Sequence, residues 1–237
     1  AAAPEDRIAR HGATPAAIMA GTVGDLLARL GEAYAPACLD AFPQVREPLV
    51  RDALGHYLAR TGDTLVAAVA ALIPAVDVEP AIALVRVLVE IGTRRALDAV
   101  GAGVQSPHAL VRIDALSHLE GASSERLRVE LQRLLEDRDP DVRLAALRLI
   151  AQNQIKVAGP HLALHAKADG FDELPVDERR VVLATLAALL PSRAESICVE
   201  LVQKGAIIPR ASHEETREVA AELLGEIAIA PETERAL

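Results

Sequence analysis

The chain has 237 residues, of which 51% are hydrophobic, only 2% aromatic and 25% charged, and its formal net charge is -9. The high apolar fraction excludes a disordered chain, and the scarcity of aromatic residues argues against a β-sandwich or barrel. The most apolar run, residues 64–76, is too short to span a membrane. We therefore expect an all-α protein rich in Ala and Leu, with no membrane insertion.

The net charge indicates which kind of partner to expect, and the number of cysteines indicates the cellular compartment. A negative net charge predicts no nucleic-acid partner, because phosphate backbones need a basic surface. Cys38 and Cys198 are too few for a disulfide framework, so we expect two free thiols and a cytoplasmic protein. The chain begins with Ala rather than Met, which is expected of a processed or excised piece. A cleaved signal peptide could leave such an end, but the free cysteines favour a piece cut from a longer polypeptide.

Helix-capping signals punctuate the chain. A capping side chain precedes a proline suited to the first helical position at three places: Thr14-Pro15, Ser106-Pro107 and Asp139-Pro140. Apolar residues recur between these points with the period of a helix, as in residues 127–135. Along the chain we expect a capping hairpin or a linker over 1–42, regular repeats over 43–160, a longer connection over 161–175, and C-terminal repeats with a cap over 176–237.

An internal repeat explains these signals. Residues 111–116 and 142–147 share the pattern Val-Arg-x-x-Ala-Leu at a spacing of 31 residues, and looser copies occur near residues 49, 180 and 217. This period is typical of a helical hairpin, and hairpins of this kind bury their apolar faces only by stacking. We expect the helix after Asp139 to bury Val142, Ala146, Leu147 and Ile150, with small residues such as Ala115 allowing helices to approach closely.

The run Asp-Pro-Asp-Val-Arg-Leu-Ala-Ala-Leu-Arg-Leu-Ile at residues 139–150 resembles the HEAT repeat, particularly the bacterial form related to phycobilin lyases. The resemblance is fullest over 106–152, partial over 43–62 and 176–227, and weakest over 1–42. It implies a right-handed α-solenoid of about six stacked hairpins, forming one domain over 1–237, with the second helices on the concave side. Because such arrays mostly bind proteins, it also implies a non-catalytic scaffold without a cofactor.

Two surfaces are candidates for partner binding under this resemblance. One is the concave stripe of the second helices, and the other is a loop over 170–175 that interrupts the repeat and is expected to project. The candidate contact residues are Asp114, Ser117, Asp141, Arg148, Gln152 and Phe171.

The most regular polar feature is an arginine that follows the repeat. We interpret it as a structural ladder between neighbouring repeats, since arginine donors can reach carbonyl and carboxylate groups at helix starts. The members of this ladder are Arg51, Arg112, Arg143, Arg180 and Arg217.

Enzymatic alternatives have weaker support. His161 and His165 have the spacing of a two-point metal site, but no third ligand is evident. A bilin lyase-type enzyme would rest on repeat similarity alone, and a DNA glycosylase-type enzyme lacks the basic and aromatic face that it needs. We therefore predict no catalytic, cofactor-binding or metal-binding residue, and we keep a regulatory docking domain of a larger protein as a further alternative.

Overall fold

The computed structural model describes residues 15–119, 124–203 and 211–234. In these three ranges the ordered elements are α-helices and short 3-10 turns, with no β-strand, so the prediction of an all-α protein is confirmed. The chain divides into two compact units, Ala1–Leu127 and Arg128–Leu237. We call them the first and the second unit and describe each by itself.

The first unit consists of eight α-helices within its described residues. Their bounds are α1 Pro15–Leu27, α2 Ala35–Ala41, α3 Pro48–Ala59, α4 Val66–Leu72, α5 Val78–Ile91, α6 Arg94–Ala99, α7 Gly101–Val104 and α8 Ala109–Leu116. Helix α1 packs on α3, α3 on α5, and α5 on α8, so that these four lie side by side in chain order. Helices α4, α6 and α7 pack against α5 from another side.

In the second unit, as in the first, helices that are not consecutive in the chain pack side by side. Its helices are α9 Ser124–Leu135, which crosses the division between the units, α10 Pro140–Gln152, α11 Gly159–His165, α12 Val176–Leu189, α13 Pro191–Gln203 and α14 Ala211–Glu234. Helix α10 packs on α12 and α12 on α14, whereas α11 and α13 pack against α12 and against each other.

Local sequence explains where several of these helices begin and end. The Asp139 side chain accepts a hydrogen bond from the Asp141 backbone N–H, which confirms the predicted cap of α10. Before α8 the Ser106 hydroxyl accepts instead from the backbone N–H of His108, the residue that immediately precedes the helix. Helix α5 ends at Gly92, whose φ of 69° is left-handed and therefore suits glycine.

The predicted core positions of α10 are confirmed, since Val142, Ala146, Leu147 and Ile150 are all buried. Close helix approach at Ala115 is confirmed as well. A Cβ atom placed on Gly103 of α7 would lie only 2.5 Å from the Ala115 Cβ of α8. Small residues at both positions therefore let these two helices pack at short distance.

The sequence predicts a capping hairpin or a linker over 1–42 and a longer connection over 161–175. The described part of 1–42 contains α1 and α2, both packed on α3; Thr14 and the rest of 1–14 lie outside the described residues. The expected connection over 161–175 begins later, because α11 continues to His165. The segment 170–175 does not project as expected: Phe171 is only 2% exposed and Asp172 is buried beside it.

Candidate protein-binding groove

The candidate contact residues of the first unit lie at the end of α8. Ser117 is exposed and donates a hydrogen bond to the Asp114 backbone carbonyl at 2.7 Å. Asp114 is half-buried, and its Oδ2 atom is buried without a hydrogen bond. Burial raises the pKa of the Asp114 carboxyl, while His118 and Arg86 act in the opposite direction. Burial therefore disfavours the charged form of the Asp114 carboxylate.

The candidate contact residues of the second unit separate into two groups. Asp141, Arg148 and Gln152 are exposed on α10, where a partner could reach them. Phe171 is buried, and its ring meets that of His165 edge to face with the centroids 6.2 Å apart. This contact explains why Phe171, although it lies in a segment bounded by Gly170 and Pro175, is not available at the surface.

Three of the ladder arginines share one contact, in which the guanidinium donates to the backbone carbonyl six residues earlier. These contacts are Arg51 to Val45 at 2.6 Å, Arg112 to Ser106 at 3.0 Å and Arg143 to Asp137 at 2.7 Å. Each one ties the helix to the segment that leads into it. The repeated arginine thus satisfies a carbonyl that no helix hydrogen bond could reach.

Two of these arginines also reach the next helix of the same unit. Arg51 pairs with Glu79 of α5 at 3.2 Å. Arg143 forms a two-point pair with Glu178 of α12, with Nε 2.5 Å from Oε1 and Nη2 2.7 Å from Oε2. The hydrogen bond with Glu178 raises the pKa of Arg143. Such pairs link neighbouring helices directly.

The corresponding link between α12 and α14 comes from Arg179, one residue before the ladder position proposed from the sequence. Arg179 is 2% exposed and donates to the Ser212 carbonyl at 2.6 Å and to Glu215 at 2.7 Å. Its neighbour Arg180 is exposed and pairs with Glu222 on the surface. Arg180 is therefore a surface residue, and Arg179 makes the buried contact between the helices.

Arg217, the last predicted member, is exposed on α14. It donates to the Val202 carbonyl of α13 at 3.1 Å and to Glu214 on its own helix at 3.0 Å. It therefore joins α13 to α14, a different pair of elements from those that the other arginines connect.

An apolar groove lies between α9 and α11 in the second unit, with a cavity of about 460 Å³. Leu131 and Leu135 of α9 are buried at its base. Two apolar side chains at its edge remain in water, since Val157 is 44% exposed and Leu164 is 66% exposed. We call this surface the α9–α11 groove. Its remaining lining residues are Gln132, Ala158, Pro160 and His161.

The polar part of this groove is a histidine beside a carboxylate. The Nε2 atom of His161 lies 3.3 Å from Oε1 of Glu136, which follows the end of α9. Nε2 is buried and has no hydrogen bond, whereas the Glu136 side chain is 57% exposed. The groove thus carries an accessible carboxylate beside a half-buried imidazole.

His165, one turn after His161, is in a different environment. Burial lowers the pKa of His165, and His161 and Arg143 lower it further against the opposite influence of Glu178 and Glu136. Its ring also contacts Phe171. His165 therefore takes up a proton less readily than an ordinary histidine, and it does not line the groove.

Another cavity, between two helices of the first unit, is smaller. A space of about 230 Å³ between α3 and α5 in the first unit is lined by Gly55 and Ala83 and by charged side chains that already pair, such as His56 with Glu90 at 2.8 Å. It offers a partner less apolar area than the α9–α11 groove does.

Both cysteines are free thiols, as predicted. Cys198 is buried in α13, and this burial raises its pKa to about 11. A thiol with so high a pKa and no exposed surface is a poor nucleophile. Cys38 is partly exposed, and burial raises its pKa as well.

Within residues 15–119, 124–203 and 211–234, no group of three or more His, Cys, Asp and Glu side chains could hold a metal ion. No helix in these ranges combines the length and the apolar character needed to cross a membrane. Comparisons of the chain with protein-family models, with curated proteins and with solved structures find no match.

Sequence reasoning missed the α9–α11 groove. A signal was present in the run Leu162-Ala163-Leu164, because three successive apolar residues cannot all face one side of a helix. Leu162 and Ala163 are buried, and Leu164 points to solvent. The order of the chain alone does not place α11 beside α9, so this run does not by itself indicate a groove.

Proposed function

We propose that the chain is a non-catalytic protein-binding scaffold whose hairpins stack as a HEAT-like right-handed α-solenoid, and that it docks a partner in the α9–α11 groove. The side-by-side order of α3, α5 and α8, and of α10, α12 and α14, supports the stacking within each unit. The free thiols Cys38 and Cys198 support a reducing compartment such as the cytoplasm.

We choose the α9–α11 groove as the docking surface because Leu164 and Val157 are exposed at the edge of an apolar cavity. Apolar side chains of this size gain on the order of 1–2 kcal/mol each when a partner covers their exposed part. Exposed apolar surface with a polar rim is typical of a protein-binding site. The concave stripe with Arg148 and Gln152 remains the alternative, but its residues are polar and supply less of this gain.

The occupant that fits is a single amphipathic helix from a partner protein. Two helices, α9 and α11, form the walls of the groove, and a third helix can lay its apolar stripe between them. The exposed carboxylate of Glu136 favours a partner with Lys or Arg at the corresponding end of that stripe. The net charge of -9 adds to this preference for a basic partner.

Selection from a phage-displayed library of helical peptides tests this proposal. The whole chain is immobilised, and the enriched peptides are titrated by fluorescence anisotropy against the wild type, Leu164→Glu and Leu110→Glu. Leu110 is a matched control because it is 63% exposed, close to the 66% of Leu164, and lies in the first unit. The same substitution at the two positions changes the net charge equally.

We expect enriched peptides with apolar residues at positions i, i+3 or i+4, and i+7. Leu164→Glu should weaken their binding at least tenfold, about 1.4 kcal/mol, and Leu110→Glu should not change it. Circular dichroism at equal concentration checks that both variants keep the helical content of the wild type. Selection without enrichment, or binding that is equally sensitive to Leu110→Glu, would exclude the groove as the docking site.

A further inference from the structure

A second cavity of the second unit lies between the segment that follows α11 and helix α13. We call it the α11–α13 cavity. Its volume of about 460 Å³ falls within the range of about 300–1,000 Å³ that is typical of small-molecule sites. Three of its lining side chains are apolar and buried, namely Phe171, Ile197 and Leu201. The cavity is distinct from the α9–α11 groove, because the two share no lining residue.

A buried carboxylate lines this cavity together with the apolar side chains. Asp172 is only 8% exposed, and one of its contacts is with His213, whose Nε2 atom is 3.4 Å from Oδ2. A carboxylate in such surroundings is costly unless cations or hydrogen-bond donors compensate its charge. A cation that enters the cavity therefore gains more from Asp172 than it would gain from a carboxylate in water.

An ion pair lies at the more exposed part of the lining. The Nζ atom of Lys167 is 2.6 Å from Oε2 of Glu200, and the two side chains are 43% and 58% exposed. Their charges offset each other, so the carboxylate of Asp172 determines the sign of the charge that the lining presents to a ligand. The complementary ligand is a cation with an apolar part.

We propose that the α11–α13 cavity binds an organic cation, whose ammonium or guanidinium group pairs with Asp172 while its aliphatic stem packs on Phe171, Ile197 and Leu201. A guanidinium group fits best, because its planar donors can form two hydrogen bonds with one carboxylate. This inference goes beyond the docking of a partner helix and does not depend on it. The same chemistry occurs in free small molecules and in the arginine side chains of peptides.

Nuclear magnetic resonance titrations of the whole chain test the inference. The probe is n-butylguanidinium, and n-butylurea is its control because it has nearly the same shape without the charge. A blocked tripeptide with a central arginine presents the same group as part of a peptide. Each compound is titrated into the wild type, Asp172→Asn, Lys167→Gln and Asp177→Asn. Asp177 is the matched control, because it is exposed in the first turn of α12 and does not line the cavity.

In the wild type, n-butylguanidinium should shift the amide signals of residues 166–172 and 197–203 and should bind at least about tenfold more tightly than n-butylurea. Asp172→Asn should weaken binding of the cation at least about tenfold, and Asp177→Asn should not change it. Lys167→Gln should tighten binding about twofold or more, because it removes a like charge from the lining. Circular dichroism checks the fold of each variant.

Equal binding of the two butyl compounds would overturn the inference, and this comparison holds even if Asp172→Asn does not fold. Unchanged affinity in a folded Asp172→Asn would overturn it as well. Loss of binding in Lys167→Gln would also contradict it, since the cavity would then recognise an anion. Tighter binding of the tripeptide than of n-butylguanidinium would support a peptide as the source of the cation, and weaker binding would support a free small molecule.

Discussion

Arg143 and Glu178 join two neighbouring helices of the second unit through a pair of hydrogen bonds of 2.5 and 2.7 Å. The Glu178 side chain is almost fully buried, and Arg143 also ties its own helix to the Asp137 carbonyl. The pair thus fixes α10, α12 and the segment before α10 at one point. A buried ion pair of this kind has an asymmetric cost, because removing one partner leaves the other charge uncompensated.

Glu178→Gln should therefore strongly destabilise the second unit. The change keeps the shape of the side chain but leaves the Arg143 guanidinium without a counter-charge, at a cost of about 3 kcal/mol. Urea unfolding followed by circular dichroism measures the shift in midpoint. Glu222→Gln is the matched control, since it breaks the exposed pair with Arg180 and should cost at most about 1 kcal/mol. Equal shifts for the two variants would contradict the structural importance of the Arg143–Glu178 pair.

Asp114→Asn should stabilise the chain at neutral pH. Burial raises the pKa of this carboxyl, so the folded chain retains the proton to a higher pH than the unfolded chain does. Stability that is present below the unfolded pKa is then lost as the pH rises through the folded pKa. Asparagine removes this loss, and calorimetry should show a higher melting temperature than the wild type at about pH 7 and no difference at about pH 3.

The control for this prediction is Asp141→Asn, because Asp141 is exposed in the first turn of α10. A carboxylate at a helix start is favourable, so this variant should show no gain at pH 7. A gain of the same size in both variants would mean that net charge, and not the environment of Asp114, sets the response.

Gly103→Ala should destabilise the first unit by about 1–3 kcal/mol, because overpacking forces neighbouring atoms to move. The added Cβ would lie 2.5 Å from the Ala115 Cβ and 3.1 Å from a methyl group of Val85. Thermal unfolding of both single variants and of Gly103→Ala/Ala115→Gly gives a double-mutant cycle. We expect the double variant to be more stable than the sum of the single changes predicts.

Gly170→Ala provides the control for that cycle, since a Cβ at Gly170 meets nothing within 4 Å. Its melting temperature should stay close to that of the wild type. Additive effects of Gly103→Ala and Ala115→Gly would show that the two residues are not in the close contact found here.

Local signals in the sequence were sufficient to predict much of the fold. The Asp139-Pro140 start and the helical period of α10 determine which side chains face inward, and all four predicted core residues of that helix are buried. Capping chemistry and apolar period act within one helix, so they can be recognised without knowledge of its neighbours. The solenoid, by contrast, stays a proposal based on the repeat.

The residues that sequence reasoning misplaced depend on contacts between helices. Arg179 and Arg180 are adjacent and identical in type, but one step along a helix turns a side chain by about 100°. That rotation separates the buried link to Glu215 from the surface pair with Glu222. Phe171 has loop-forming neighbours in the sequence, yet its contact with His165 buries it.

Hydrogen–deuterium exchange with a helical peptide enriched in the library selection is the most direct test of docking in the α9–α11 groove. The whole chain is compared with and without a saturating concentration of the peptide, and Leu164→Glu is measured alongside. Our account predicts increased protection confined to Ser124–Leu135 and Gly159–His165, and no increase in Leu164→Glu. Protection of α10 and α12 at unchanged exchange of α9 and α11 would contradict it and would assign binding to the stripe with Arg148 and Gln152.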